Sequence, residues 1–176
     1  LPSKKTSKVK TIHTMDGDIE EAFPPLSVTL TLEDEIDCSR GDMLVRPGNV
    51  PRIGSSFDAS IVWMAEEAMV PGREYLFKLG PKSVAGKVST LRHQIDVNTL
   101  HRKDAPTLAL NEIGRCEVKL SASSPFDGYK RTKGTGAFVM IDRVTNAPVA
   151  AGIILDQPAG GTGRARDPDP AAALAS

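Results

Sequence analysis

The chain has little of several features that mark common functional classes. Its 22 Lys and Arg residues balance 22 Asp and Glu residues, so the net charge is zero and the basic bias of a typical nucleic-acid-binding domain is missing. No apolar run approaches the roughly 20 residues that a membrane-spanning helix needs. The amino terminus, LPSKKTSKVK, has no apolar core after its basic residues. We therefore predict no signal peptide, no membrane span and a cytoplasmic location.

Cysteine is also scarce, since the chain has only Cys38 and Cys116. Two cysteines fit a reducing compartment better than a disulfide framework. Cys116 alternates with polar neighbours and is predicted to be a small side chain of the core. Cys38 lies in a polar turn, and nothing near it in the sequence lowers the pKa of its thiol. We predict no redox role for either residue.

Helical periodicity is almost absent, whereas apolar and polar residues alternate with a period of two in many short segments. Alternation or a short apolar run predicts strands at residues 7–14, near Ile19, and at 27–32, 43–45, 60–64, 75–79, 87–92, 116–121, 137–141 and 149–155. A single helical turn is expected at 99–103. The 15 Gly and 13 Pro residues supply turns between the strands. This pattern predicts an all-β sandwich or barrel.

A break in the pattern divides the chain. The string RPGNVPR, residues 46–52, holds two prolines and a glycine and predicts a linker at 47–52. We expect part of a β-barrel at 1–46, a complete barrel at 53–156, and a disordered tail or linker at 157–176. The few strands of the first part would leave unpaired edges. The chain is therefore expected to be a piece of a longer protein, with residues 1–45 less protected from amide exchange than 53–156.

Several strings imitate binding motifs but lack an essential residue. GPKSVAGKV at 80–88 has five residues between its glycines, where a P-loop has four, and Val88 where magnesium needs a hydroxyl. DGDIE at 16–20 starts like a calcium loop, but Glu21 and Ser27 occupy its sixth and twelfth positions. GTG at 134–136 leads into a strand, so no helix N-terminus is available to hold a phosphate.

Other candidate groups are equally incomplete. His13, His93 and His101 share no ligand spacing, no G-x-S-x-G string is present, and RGD at 40–42 is expected to form a β-turn. We therefore predict no catalytic, cofactor-binding or metal-binding residue in this chain. Trp63 lies in an apolar strand and is expected in the core or between subdomains.

Two charged runs have two interpretations each. The acidic run 33–37, EDEID, and the basic run 130–133, KRTK, are expected first to be solvated loops. The alternative is complementary contact with a partner.

Blocks of sequence resemble one protein family. DCSRGDML at 37–44, FDASIVWM at 57–64, VPGREY at 70–75 and the strand–turn–strand GTGAFVMIDRVTNAPVAAGIIL at 134–155 resemble elongation-factor-Tu-like GTPases. More particular strings resemble the large, GTP-binding subunits of bacterial sulfate adenylyltransferases (ATP sulfurylases), including those fused to adenylylsulfate kinase. These strings are KTSKVK at 5–10, MDGD at 15–18, IVWM at 61–64, QIDVNTL at 94–100 and LNEIG at 110–114.

The resemblance implies a translation-factor-type fold, with the later part of a second-domain barrel followed by a complete third-domain barrel. In such enzymes a small catalytic subunit makes adenylylsulfate and pyrophosphate from ATP and sulfate, and the large subunit hydrolyses GTP. The guanine-recognition string NKxD and the string DxxG are missing here, so GTP and magnesium are expected in a GTPase domain outside this chain. The implied partners are the small subunit and that GTPase domain, with neither nucleic acid nor membrane.

Two other functions stay open at this point. The chain can be the corresponding region of a translation-factor GTPase that contacts tRNA, although the zero net charge and the particular strings above speak against this. It can also be an independent barrel that binds a small molecule, which would require an apolar pocket.

Overall fold

A computed structural model describes residue 1, residues 3–96, residue 99 and residues 101–155. Over these residues the chain forms strands, turns and irregular segments but no helix, so none is long and apolar enough to cross a membrane. The strands are β1 (Val9–Thr14), β2 (Gly17–Ile19), β3 (Thr29–Leu32), β4 (Arg52–Trp63), β5 (Glu74–Leu79), β6 (Lys82–Ile95), β7 (Arg102–Lys103), β8 (Ile113–Phe126), β9 (Ala137–Ile141) and β10 (Pro148–Ile154). The all-β prediction is confirmed.

The first three strands form a small antiparallel sheet in the order β2-β1-β3. Ile12 pairs with Ile19 on one side and with Leu30 on the other, which places three apolar side chains in one row. None of the three is fully buried. A sheet of three short strands with this little burial is marginally stable by itself.

The remaining strands form a closed barrel. Six of them follow one another around it in the order β5-β9-β10-β4-β8-β6, and β6 pairs back with β5. All of these pairings are antiparallel. The short β7 adds to the outer end of β6 through Gln94–Lys103 and Ile95–Arg102. Closure leaves no unpaired edge among the six strands, which is why alternating sequences of this kind form stable barrels.

The barrel interior is filled by side chains from all six strands. Phe138 is buried there, with its ring centroid 5.6 Å from that of Phe57 and 5.6 Å from that of Phe77. Phe126 packs on Phe57 at 5.0 Å. The other large, fully buried side chains are mostly apolar and include Ile61, Met69, Tyr75, Val88, Leu108, Val118, Met140 and Ile154. Alternate residues of each strand therefore fill the interior, as the period-two pattern predicted.

Single residues also lie where the sequence placed them. Trp63 is 2% exposed and stands edge-on to Tyr75 at 5.8 Å, so it is a core residue. Its indole nitrogen donates a hydrogen bond to the carbonyl of Glu67 at 2.7 Å. Cys116 is buried and Cys38 is exposed, and neither is in a disulfide.

Some predictions were wrong. Residues 43–45 form no strand, because Met43 exchanges backbone hydrogen bonds with Leu1 instead of joining a sheet. Arg102 and Lys103 belong to β7, so the helical turn expected at 99–103 does not form there. The tail 157–176 lies outside the described residues. The domain boundaries stay predictions.

Candidate functional site

The P-loop-like string lies in a hairpin of the barrel. Gly80 is in the turn between β5 and β6 with φ of 54°, a left-handed conformation that favours glycine. Lys87 is exposed within β6, where it lies opposite Glu74 on one side and Lys119 on the other. A phosphate cradle needs a loop whose amides point at one position ahead of a helix, and a strand does not provide that arrangement.

Gly136 shows why GTG occurs before β9. A Cβ atom at Gly136 would lie 2.5 Å from the Cα atom of Tyr129, so only glycine fits against that backbone. The amide of Ile154 donates a hydrogen bond to the carbonyl of Gly136 at 2.7 Å. This glycine therefore serves close packing of two backbone segments.

The candidate metal-binding residues do not assemble. His13 is in β1, where it contacts Asp18 across the hairpin, and His93 is in β6 of the other sheet. In the part of the chain that the structure describes, no group of three or more His, Cys, Asp or Glu side chains could hold a metal ion. The absence of catalytic, cofactor-binding and metal-binding residues stays a prediction from the sequence.

A buried carboxylate on the outside of the barrel was not anticipated. Asp58 lies in β4, faces outward, and is 1% exposed. Arg92 from β6 donates to its Oδ1 through Nη2 at 3.1 Å and through Nε at 3.3 Å. Arg115 from β8 donates to its Oδ2 at 3.3 Å. Two guanidinium groups thus hold the carboxylate and tie three neighbouring strands together on their outer face.

Basic and acidic side chains both lie close to this carboxylate, since Glu117 is opposite Asp58 in the β4–β8 ladder and its Oε2 is 3.9 Å from Nη2 of Arg92. His93 lies opposite Arg115 in the β6–β8 ladder. Partial burial lowers the pKa of His93 below its ordinary value, and the positive charges of Arg102 and Arg115 lower it further. The lowered pKa favours the neutral form of the His93 imidazole beside these arginines.

A second buried carboxylate fixes the turn between β9 and β10. Oδ1 of Asp142 accepts hydrogen bonds from the amides of Val144 at 2.8 Å and Thr145 at 3.0 Å. Oδ2 accepts one from Arg73, whose guanidinium lies 5.6 Å from the ring centroid of Tyr75. The amides of Thr145 and Val144, together with Arg73, hold the pKa of Asp142 below its ordinary value. This arrangement ties the β9–β10 turn to the start of β5.

An apolar row crosses the outside of the barrel. Val62 on β4 lies opposite Ile113 on β8 and opposite Ala151 on β10, and Ala151 lies opposite Val139 on β9. Ile95 on β6 extends the row beyond Ile113. Val62 is 37% exposed and Val139 is 36% exposed. Both point away from the filled interior of the barrel, so they lie on its outer surface. These five residues, the outer apolar row, form a candidate contact surface.

A basic surface lies where the segment that leads into β4 meets the turn between β8 and β9. We call it the junction patch, and it comprises Arg46, Arg52, Lys130, Arg131 and Lys133, all exposed. Arg131 joins the two segments, because its Nη2 donates to Oδ1 of Asn49 at 2.8 Å. Its Nη1 lies 3.7 Å from Oδ1 of Asp127, which is 8% exposed.

Most of these features could not be predicted from the sequence, because the residues that form them are far apart in the chain. Arg92 is 34 residues from Asp58, and Arg115 is 57 residues from it. The only local signal is the charged Asp58 in a segment of mostly apolar residues, FDASIVW, where a charged side chain must find partners. The basic run at 130–133 was recognised, but its partner segment around Asn49 was not.

Comparison with known proteins connects this barrel to a family. The family described as GTP-eEF1A C-terminal domain-like matches residues 56–155. The bifunctional enzyme CysN/CysC of Rhodopirellula baltica is 59% identical over 89% of this chain and 24% of its own length. Sulfate adenylyltransferase subunit 1 of Alteromonas mediterranea is 52% identical over 91% of this chain and 34% of its own. The chain thus spans about a quarter to a third of these relatives.

Among solved structures, sup35 complexed with GDP matches with a TM-score of 0.79 and 16% identity, over 90% of this chain and 39% of that one. The sup35 complex with GMPPNP gives a TM-score of 0.78 with 17% identity. At this level of identity the likeness concerns the fold alone. It confirms the translation-factor-type barrel predicted from the sequence.

Proposed function

The chain belongs to the GTP-eEF1A C-terminal domain-like family, and we propose that it is the non-catalytic C-terminal barrel region of the GTP-dependent subunit of a sulfate adenylyltransferase. In that enzyme a second subunit would form adenylylsulfate and pyrophosphate from ATP and sulfate, and GTP hydrolysis would drive the reaction. The observation that carries the proposal is the identity of 59% and 52% to relatives with these names, over 89% and 91% of the chain.

The physical role proposed for the barrel is that of a rigid connector. A closed, densely filled barrel moves as one body, so a GTP-dependent movement of a neighbouring domain would be transmitted without deformation. The GTPase domain, with its GTP and magnesium, would lie in the part of the parent protein outside this chain. We propose that the outer apolar row contacts that domain, because the relatives extend well beyond the matched region and the side chains of Val62 and Val139 in the row are more than a third exposed.

The alternative functions have less support. The likeness to sup35 is 16% in identity and says nothing about RNA contact. The small-molecule hypothesis requires space inside the barrel, but the interior positions of the described strands are occupied by aromatic and aliphatic side chains. A cytoplasmic location remains part of the proposal, since the proposed reaction uses ATP and GTP.

A chimera tests this function. Residues 1–155 would replace the matching segment of the Alteromonas mediterranea subunit 1, and the chimera would be assembled with the second subunit of that enzyme. We expect GTP-stimulated formation of adenylylsulfate, with GTPase activity similar to that of the parent. A folded chimera that hydrolyses GTP but shows no stimulation would refute the proposed coupling role. A tRNA pool titrated into the isolated chain tests the translation-factor alternative.

A further inference from the structure

The fold builds the junction patch from two separate segments. The first follows the end of the small sheet and enters β4, and the second is the turn between β8 and β9. Arg52 lies opposite Phe126 in the β4–β8 ladder, which brings the two segments side by side. The hydrogen bond of 2.8 Å between Arg131 and Asn49 then joins them. The turn at 46–49 and the turn at 128–132 are therefore neighbours, although they are far apart in the sequence.

This surface carries an unbalanced charge. Segments 46–56, RPGNVPRIGSS, and 128–136, GYKRTKGTG, contain five basic residues and no acidic residue. The whole chain has no net charge, so the compensating acidic residues lie elsewhere. The neighbouring Asp127 is 8% exposed, and its Oδ2 accepts a hydrogen bond from the hydroxyl of Thr135 at 2.8 Å. The exposed side chains of the patch are thus cationic.

The patch is also held in place before any partner binds. The amides of Arg131 and Thr132 donate to the carbonyl of Gly128 at 3.0 and 3.1 Å, which fixes the turn that presents the basic side chains. The close approach of Gly136 to Tyr129 anchors the same turn to β9. A preformed arrangement loses less conformational entropy on binding than a flexible basic tail would.

We propose that the junction patch docks an acidic surface of the second subunit of the sulfate adenylyltransferase. This inference rests on the proposed function and assigns the surface through which that function contacts its partner. The name "subunit 1" of the relatives implies an enzyme of more than one subunit. A basic surface on one subunit and an acidic surface on the other increase the rate of association and fix the orientation of the two subunits.

Two other occupants fit the observations less well. RNA is also attracted by a cationic patch, but an extended polyanion would in addition run over the rest of the chain, whose net charge is negative once the five patch residues are set aside. A second copy would place its acidic run 33–37 on the patch, but Asp34 of that run already accepts a hydrogen bond from Ser7 at 2.7 Å, and a symmetric dimer would need two such contacts to form together. Both occupants are separate outcomes of the experiment below.

The experiment compares two charge reversals by calorimetric titration with the second subunit of the Alteromonas mediterranea enzyme. Lys130→Glu combined with Lys133→Glu changes the patch. Lys78→Glu combined with Lys87→Glu makes the same change in net charge at exposed positions on β5 and β6. We expect the patch variant to bind at least about tenfold more weakly, equivalent to roughly 1.4 kcal/mol, and the control to bind like the unchanged chain. Higher salt should reduce this difference.

Several results would overturn the inference. Equal affinity of the patch variant and the unchanged chain would remove the patch from the interface. Patch-dependent binding of a tRNA pool, without binding to the subunit, would identify RNA as the occupant. Patch-dependent self-association in sedimentation experiments would identify a second copy. If the unchanged chain fails to bind while the chimera retains GTP stimulation, the patch is wrong and the proposed function stands. Fluorescence of Trp63 verifies that each variant is folded.

Discussion

Replacement of Gly152 by alanine should strongly destabilise the barrel. Gly152 lies in β10 opposite Phe138, and a Cβ atom there would be 2.3 Å from Cζ of the ring and 2.8 Å from Cε1. Phe138 is 4% exposed and is packed between Phe57 and Phe77, so its ring has no free space to enter. Relief of the overlap requires a shift of about 1 Å in a close-packed interior. Overpacking of this kind costs about 1–3 kcal/mol.

Urea unfolding followed by tryptophan fluorescence measures this cost. Trp63 is the only tryptophan and is 2% exposed, so its emission reports on the barrel itself. Each kcal/mol should lower the melting temperature by about 2–4 °C in a protein of this size. Gly134→Ala is the matched control, because a Cβ at Gly134 meets no atom within 4 Å. Its effect should stay within about 0.5 kcal/mol.

A second change tests the assigned cause. Phe138→Leu removes ring atoms that the new methyl group would meet, so it should cost less in the Gly152→Ala background than in the unchanged chain. We expect a coupling energy of at least about 0.5 kcal/mol between the two positions. Equal stability of Gly152→Ala and the Gly134→Ala control, or additive effects of Gly152→Ala and Phe138→Leu, would contradict the overlap with the Phe138 ring.

Three further predictions concern the charged and reactive groups. Asp58→Ala should cost about 1–3 kcal/mol in urea unfolding, because two partly exposed guanidinium groups lose their acceptor; Asp58→Asn keeps the shape but not the charge and should recover only part of this, so full recovery by Asn would contradict the ion-pair explanation. The pKa of Asp142 is lower in the folded state than its unfolded-state value near 4, so its ionised form stabilises the fold above that value, and this stability is lost as the pH falls through the folded-state pKa. Asp142→Asn should therefore lower the free energy of unfolding most at neutral pH and progressively less when unfolding is measured at lower pH. Burial, with a smaller effect of Asp58, raises the pKa of Cys116 to about 12. A thiol reagent should therefore react with Cys38 alone in the native protein and with both cysteines in denaturant. Reaction of both thiols in the native protein would contradict the burial of Cys116.

The sequence was most informative where local patterns are strong. The hairpin of β9 and β10 was predicted within a residue at each boundary, because two β-branched and apolar runs flank a turn-rich segment. Strands β4 and β8 were predicted much shorter than they are. Their polar ends, such as Ser55 and Ser56, do not alternate with apolar residues, and a register shift between Gly54 and Ser56 interrupts the period.

The candidate surfaces depend on closure of the barrel, which local patterns do not encode. The outer apolar row takes one residue from each of five strands, so it appears only when register and strand order are known. The partners of Asp58 likewise come from β6 and β8. By contrast, the sequence alone is enough to see that no complete nucleotide-binding motif is present in it, since each motif requires fixed residues at fixed spacing.

The neighbouring positions of β4 and β10 have a consequence for biosynthesis. β4 is the first barrel strand to leave the ribosome and β10 is the last, yet they pair through Ala150–Trp63 to Ile154–Ala59. The barrel therefore closes only after Ile154 has emerged from the ribosome. A product that stops before Pro148 would expose the edges of both β4 and β9. Such open edges promote aggregation and attract chaperones and proteases, so the cell can distinguish unfinished from finished chains.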